Sequence, residues 1–178
     1  MPTICLIGRH GSGKSTIGKA LQEHGYKHIS VGTLKRLANN NQFPSDVPYS
    51  LMLMIKRAPA GQLLPDDTAA KLIAHARSFR NCVIDGFPAS GRHLDMLPED
   101  CVIGYVWAPK SVLQDRLTSR AEVSVRKWTP GLKSEREVHL AEVALRARNM
   151  RRVVFIENNG ERSQIGNIAG NFVAKLMA

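Results

Sequence analysis

The chain has 178 residues, 43% of them hydrophobic and 22% charged, enough for one well-buried domain and too few for two independent ones. No apolar run approaches the ~20 residues that a membrane-spanning helix requires, and neither end reads as a targeting signal, so a cytoplasmic protein is expected. The formal net charge of +10 attracts phosphate-rich partners, but the basic residues are scattered, with only modest clusters at Lys35-Arg36, Arg126-Lys127 and Arg146 to Arg152, so no nucleic-acid arm is read.

In chain order, Thr3 to Ile7 is a strand-like run that enters Gly8-Arg-His-Gly-Ser-Gly-Lys-Ser15. Ile17, Ala20 and Leu21 then recur at helical spacing until Gly25. A short strand is expected over Tyr26 to Ser30, after which Val31-Gly-Thr opens a helix, Leu34 to Asn39. Further helices are expected over Pro48 to Lys56 and from Pro65-Asp-Asp67 to about Arg77, the latter with acidic residues at the end the helix dipole favours. Asn81 to Asp85 is a short apolar run ending in a carboxylate, as a strand buried on both faces would be. Gly86-Phe-Pro is a turn, Ser90 to Leu97 a short helix, Cys101 to Trp107 a strand and Lys110 to Arg120 a helix. Ala121 to Ser134 reads as a mobile loop, Ser134 to Asn149 as one long amphipathic helix, Val153 to Glu157 as the last strand, Asn158-Asn-Gly160 as a turn and Gln164 to Met177 as the closing helix.

Strands alternating with helices predict an α/β fold, with a five-stranded parallel sheet between two helical layers and ligands bound at the carboxyl ends of the strands. The three cysteines, Cys5, Cys82 and Cys101, sit in or at the start of apolar runs and form no ligand pair, so they are expected as small buried hydrophobes.

The Gly8 to Ser15 stretch fits the phosphate-cradling pattern in which two glycines bracket four residues and Lys-Ser follows, between a strand and a helix. Glycines at 8, 11 and 13 let successive N–H groups turn toward phosphate oxygens. Lys14, in the first helical turn, would face the β- and γ-phosphates together with the helix dipole. Ser15 offers a hydroxyl to Mg²⁺, and Thr16 could add an α-phosphate contact. Arg9, His10 and Ser12 complete the loop. His10 is read as a spacer, since such a loop works through its backbone.

Five segments, namely this loop, Ile29-Ser-Val-Gly-Thr-Leu-Lys-Arg36, Gly61-Gln-Leu-Leu-Pro-Asp66, Asp85-Gly-Phe-Pro88 and Asp115-Arg-Leu-Thr-Ser-Arg120, resemble the adenylate kinase family in order and spacing. The resemblance covers Met1 to Arg120 well and the remainder loosely. It implies a three-layer P-loop NTPase fold over residues 1–178, with a small acceptor-binding insertion over about 31–66 and a short lid over about 121–134. It implies a monomeric kinase that uses ATP with Mg²⁺ and a nucleoside monophosphate acceptor. By the same resemblance Gly8 to Thr16 bind ATP, Lys14, Arg116, Arg120 and Asp85 carry the transfer, and Asp85 acts through magnesium-bound water. Gly32, Arg36, Gly86, Arg92 and His93 hold the acceptor, with Arg36 as the phosphate clamp. Cations, magnesium and alignment are what phosphoryl transfer chiefly needs.

The chain departs from that family's pattern at several positions. Val31 and Thr33 replace a threonine and an aspartate, Ala89 replaces an arginine that clamps the acceptor phosphate, and His93 stands where a glutamine faces the acceptor base. Arg92, close to one helical turn from Ala89, is expected to reach the same oxygens. Arg126, Arg136 and Arg146 are all candidates for a lid arginine, and Trp128 either stacks on a base or packs under the loop. Other readings remain open: a small P-loop kinase acting on dephospho-coenzyme A or a nucleoside, a nucleic-acid-associated ATPase suggested by the charge, or a scaffold that binds ATP without turning it over.

Overall fold

Ile4–Ile7 (β1) is buried at every position, because it is the middle strand of a sheet covered on both faces. In the computed structural model, which describes residues 3–59, 61–123, 138–150 and 152–177 with the side chains of 120–123 excepted, the other strands are Lys27–Ser30 (β2), Cys82–Asp85 (β3), Val102–Trp107 (β4) and Val153–Glu157 (β5). All pair in parallel, in the order β2-β3-β1-β4-β5. Every strand expected from the sequence is present within a residue at either end, since each is a short apolar run bounded by turn residues.

The helices are Lys14–Ala20 (α1), continued by a 3₁₀ turn over Leu21–His24, then Val31–Asn39 (α2), Tyr49–Arg57 (α3), Asp66–Arg77 (α4), Gly91–Asp95 (α5), Lys110–Val123 (α6), Leu140–Asn149 (α7) and Ile165–Met177 (α8). On one face of the sheet Cys5, Ile84 and Ile103 pack with Leu34, Leu51, Leu72, Leu94 and Val143 from α2, α3, α4, α5 and α7. On the other, Leu6, Val83 and Val106 pack with Ile17, Ala169 and Phe172 from α1 and α8. This is the expected three-layer α/β/α arrangement. The free thiols of Cys5, Cys82 and Cys101 are buried in it, and burial pushes the Cys82 thiol up to about 12.

Three of the differences from the sequence reading have a clear local reason. The helix expected from Leu34 begins at Val31, because Ser30 Oγ accepts the Thr33 N–H at 3.4 Å and caps it. The loop expected from Ala121 starts later: α6 runs to Val123, since Ala121 and Glu122 are good helix formers with no breaker among them. The helix expected over Ser134 to Asn149 is bent at His139. There the His139 carbonyl accepts the Val143 N–H at 3.0 Å and starts α7 afresh. The rest of the expected lid, including Arg126 and Trp128, and the start of that helix, including Arg136, lie outside the described residues. No described helix is long and apolar enough to cross a membrane.

Gly104 sits in β4 where two strands and α8 leave no room for a side chain. A Cβ there would lie 2.7 Å from Leu6 Cδ2, 3.1 Å from Ile156 Cδ1 and 3.2 Å from Phe172 Cζ. Gly104→Ala is therefore expected to destabilise the fold by about 1–3 kcal/mol through overpacking, read as a lower urea midpoint at unchanged slope. A midpoint equal to the parent's would show that this layer yields freely.

Candidate active site

The parallel register sets the level at which the site is built. Leu6 and Ser30 both pair with Asp85, from opposite sides of β3. The chain leaves β1 into the phosphate loop and β2 into the capped start of α2, so two helices begin on either side of the Asp85 carboxylate.

Gly8, Gly11 and Gly13 all have φ between 81° and 149°, the region that L side chains resist. Gly13 has a steric reason as well: a Cβ would sit 2.2 Å from Asn158 Nδ2. Lys14 Nζ reaches back across the loop and donates to Gly8 O and Arg9 O, each at 2.7 Å. Ser15 Oγ, one residue into α1, donates to Asp85 Oδ2 at 2.5 Å. These two oxygens suit a hard cation that keeps most of its shell as water and nucleotide oxygens. They do not make a protein cage, since the described residues hold no cluster of three or more carboxylate, imidazole or thiol groups placed for a metal. Magnesium brought in with a nucleotide therefore fits the donor set.

His28, which the sequence reading passed over, stands behind Asp85 with Nε2 at 3.9 Å from Oδ2. Burial pushes its imidazole below the ordinary value of 6.5, and the nearby Asp85 carboxylate only partly offsets this. A neutral ring at that distance makes no ion pair with Asp85, which is the buried carboxylate of a cavity wall that also carries the exposed Asp115 and Glu161.

Asn158 is the second residue the sequence reading undervalued. It follows β5, is 1% exposed, and donates from Nδ2 to Ser12 O at 2.8 Å, while its own N–H goes to Trp107 O at 2.8 Å. Arg116 on α6 spans the same joint, donating to Asn158 O at 3.0 Å and Gly160 O at 2.9 Å. The only sequence signal was a polar residue placed between a buried strand and a turn.

A cavity of about 790 Å³ opens along this edge of the sheet. Gly8, His10, Gly11, Gly13, Lys14, Ser15, Thr16, Asp85, Gly86 and Arg116 line it, together with Ser30, Gly32 and Arg36 across from the loop. Arg36 is oriented by its own helix, donating from Nε to Gly32 O at 3.2 Å and from Nη2 to Thr33 Oγ1 at 2.8 Å. The threonine that departs from the family pattern thus orients the Arg36 guanidinium. Arg9 and Ser12 belong to the loop without lining the cavity, Ser12 being fully buried.

Several expected site residues are not brought in. Arg92 pairs with Asp66 and is 81% exposed, because it projects from α5 on the side away from its buried residues Gly91, His93 and Leu94. It does not stand in for the arginine missing at Ala89. His93 is 1% exposed, stacked on Phe87 at 5.0 Å between centroids, and is part of the core rather than the cavity wall. Arg146 pairs with Asp95 at 2.6 Å and lies 3.9 Å from Glu142, against α5 and not over the cleft. The Arg120 side chain lies outside the described atoms.

A glycine loop that closes on its own lysine, beside a serine–carboxylate pair at the strand ends of a parallel β2-β3-β1-β4-β5 sheet, defines a P-loop nucleotide-binding protein. The chain belongs to the AAA_18 family, described as an AAA domain, which matches residues 4–143. It is 30% identical over 131 residues to the adenylate kinase of Carboxydothermus hydrogenoformans, a match that takes in 66% of this chain and 58% of that protein. The chain therefore spans less than two thirds of the length of this relative. Among solved structures it resembles a gluconokinase from Sinorhizobium meliloti, with a TM-score of 0.61 and 20% identity over 98% of this chain and 93% of the other. It also resembles a shikimate kinase from Acinetobacter baumannii solved with shikimate, with a TM-score of 0.56 and 14% identity over 99% and 93%. At those identities the likeness establishes the fold.

Two measurements test the site's construction. Asn158→Ala leaves the Ser12 carbonyl without its donor, and a cost of about 1–3 kcal/mol in stability is expected, with weaker retention of magnesium-ATP. Unaltered nucleotide affinity would detach Asn158 from the loop's function. Separately, burial holds both His28 and His75 below 6.5. Their folded values lie below the unfolded ones, so the stability they contribute is full above pH 6.5 and is lost as the pH falls from there through the folded values. The urea midpoint should drop as the pH falls below about 6.5, and drop less in a His75→Gln variant. Equal drops in parent and variant would remove His75 from the account.

Proposed function

We propose that this chain is an ATP-dependent phosphotransferase that moves the γ-phosphoryl group to a small anionic acceptor, a nucleoside monophosphate by its family resemblance. The observation that carries the reading is that one cavity is lined on one side by the phosphate loop with Lys14 and on the other by the oriented guanidinium of Arg36. Two phosphorylated molecules can thus meet in line, and a positioned pair of reactants is worth several powers of ten in rate.

The loop amides and Lys14 would take the β- and γ-phosphates, with Lys14 exchanging its present hold on Gly8 O and Arg9 O for phosphate oxygens. Ser15 and Asp85 would hold magnesium, which when bound would supply charge neutralisation at the phosphates. Arg36 would fix the acceptor anion by a two-pronged grip that a lysine could not give. One of the acceptor's oxygens forms the new P–O bond as the bond to the β-phosphate breaks and ADP departs. An ionised phosphate oxygen needs no base, so the cations, with Arg116 also in the wall, do the main electrostatic task at the transferring group. Asp85 then serves as an acceptor of hydrogen bonds from water rather than as a proton carrier.

A second reading keeps the transfer and changes the acceptor to a small non-nucleotide. The alanine at position 89 and the fold shared with a gluconokinase and a shikimate kinase favour it.

The test uses labelled ATP with nucleoside monophosphates, sugar acids and dephospho-coenzyme A as acceptors. Lys14→Met is expected to lower transfer by roughly a hundred- to a thousandfold. Arg36→Ala is expected to raise the acceptor KM by about 10- to 100-fold, the worth of a charged hydrogen bond, while leaving magnesium-ATP binding in place. Transfer that survives the loss of Lys14 sinks the proposal.

A further inference from the structure

We propose that the acceptor lobe does not read the edge of a base: it grips the acceptor's anion through Arg36 and leaves the rest to apolar contact. This rests on the nucleoside monophosphate reading above.

The argument starts from what each hydrogen-bonding group of that wall is already doing. The His93 ring has both nitrogens in use: Nδ1 accepts the Ala89 N–H at 3.4 Å, which fixes the tautomer, and the protonated Nε2 donates to Leu64 O at 2.9 Å. The ring is buried and stacked on Phe87, so the side chain standing where a base would be read is spent on joining α5 to the segment that precedes α4. The same bond occupies the Leu64 carbonyl. Backbone donors of the segment after β3 are committed too, with Gly86 N–H on Leu6 O at 3.0 Å and Ala89 N–H on the histidine, while Pro88 has none.

Among the described residues lining the cavity, the side chains contributed by the β2–α2 junction, α2, the segment after β3 and the start of α7 are Ser30, Arg36, Pro88, Ala89 and Leu140. Ser30 Oγ takes the Thr33 N–H as the α2 cap and keeps one hydroxyl hydrogen to donate, and Arg36 is the anion grip. Beyond that single donor the side chains are Pro88, Ala89 and Leu140, an apolar surface that any flat ring can touch. Apolar contact distinguishes size but not the pattern of donors and acceptors on a ring of given size. A site built to hydrogen-bond a substrate group, by contrast, rejects the analogue lacking it by about 10⁴–10⁵.

The experiment compares kcat/KM for the parent chain within two pairs of acceptors: AMP with GMP, and CMP with UMP. Each pair shares a ring size and differs in its hydrogen-bonding edge, so stacking cancels within it. Ratios within about a hundredfold in both pairs are expected, the range that apolar contact alone produces. A larger preference in either pair overturns this inference while leaving the phosphotransfer reading intact. Transfer to none of the four, with magnesium-ATP still bound, overturns the acceptor reading and this inference with it.

Discussion

The structure depends on one juxtaposition: the Asp85 carboxylate at the end of β3, flanked in the sheet by β1 and β2. Those neighbours run on into α1 and α2, so the positive ends of two helices lie on either side of one buried negative group. Unpaired N–H groups at a helix start attract anions, and a carboxylate between two such starts attracts a cation. The arrangement can hold anion, cation and anion side by side, which is the charge pattern of a triphosphate, a divalent ion and a second phosphorylated molecule. The overall charge of +10 is secondary. Charges more than a Debye length from the cleft, about 8 Å at physiological salt, are screened, whereas these groups act within the site.

That geometry holds only if the phosphate loop keeps its shape, and an exposed glycine-rich turn has much entropy to lose. The far side of the sheet supplies the restraint. Asn158 and Arg116 tie the turn after β5 to Ser12 and Gly11 by hydrogen bonds that cross more than a hundred residues of chain. An arginine is suited to this because its rigid fork reaches several carbonyls at once; a lysine would offer a point charge on a flexible stem. The turn is thus part of the loop's scaffold, and what the sequence marked only as Asn-Asn-Gly is a structural partner of the glycines at the other end of the chain.

How far this was legible follows from the kind of signal each part carries. The strands were plain, because Ile4–Ile7 or Cys82–Asp85 must be apolar on both sides to survive between two helical layers. The loop was plain because backbone geometry demands glycine at fixed places. Arg92, His93 and Arg146 were misjudged because all lie on short or bent helices, where spacing alone does not say which side faces the sheet. In α5 the buried side includes His93, an uncommon core residue made acceptable by two hydrogen bonds and a ring contact. His28 and Asn158 were inconspicuous for the same reason: a polar residue whose partners are distant in sequence leaves no local pattern.

The fate of His93 bears on the proposal that this chain does not select among bases. A polar side chain facing the cavity would be solvated without ligand and would bond only to the right ring, giving discrimination at little cost to stability. His93 instead satisfies Ala89 and Leu64, so its hydrogen bonds are made whether or not an acceptor is present. Groups already paired in the empty protein add nothing on binding, because any new bond must first break an old one. The bridge instead fixes the segment containing Pro88 and Ala89 against the segment before α4. The same two ring nitrogens could serve recognition or rigidity but not both at once, and in this chain they serve rigidity.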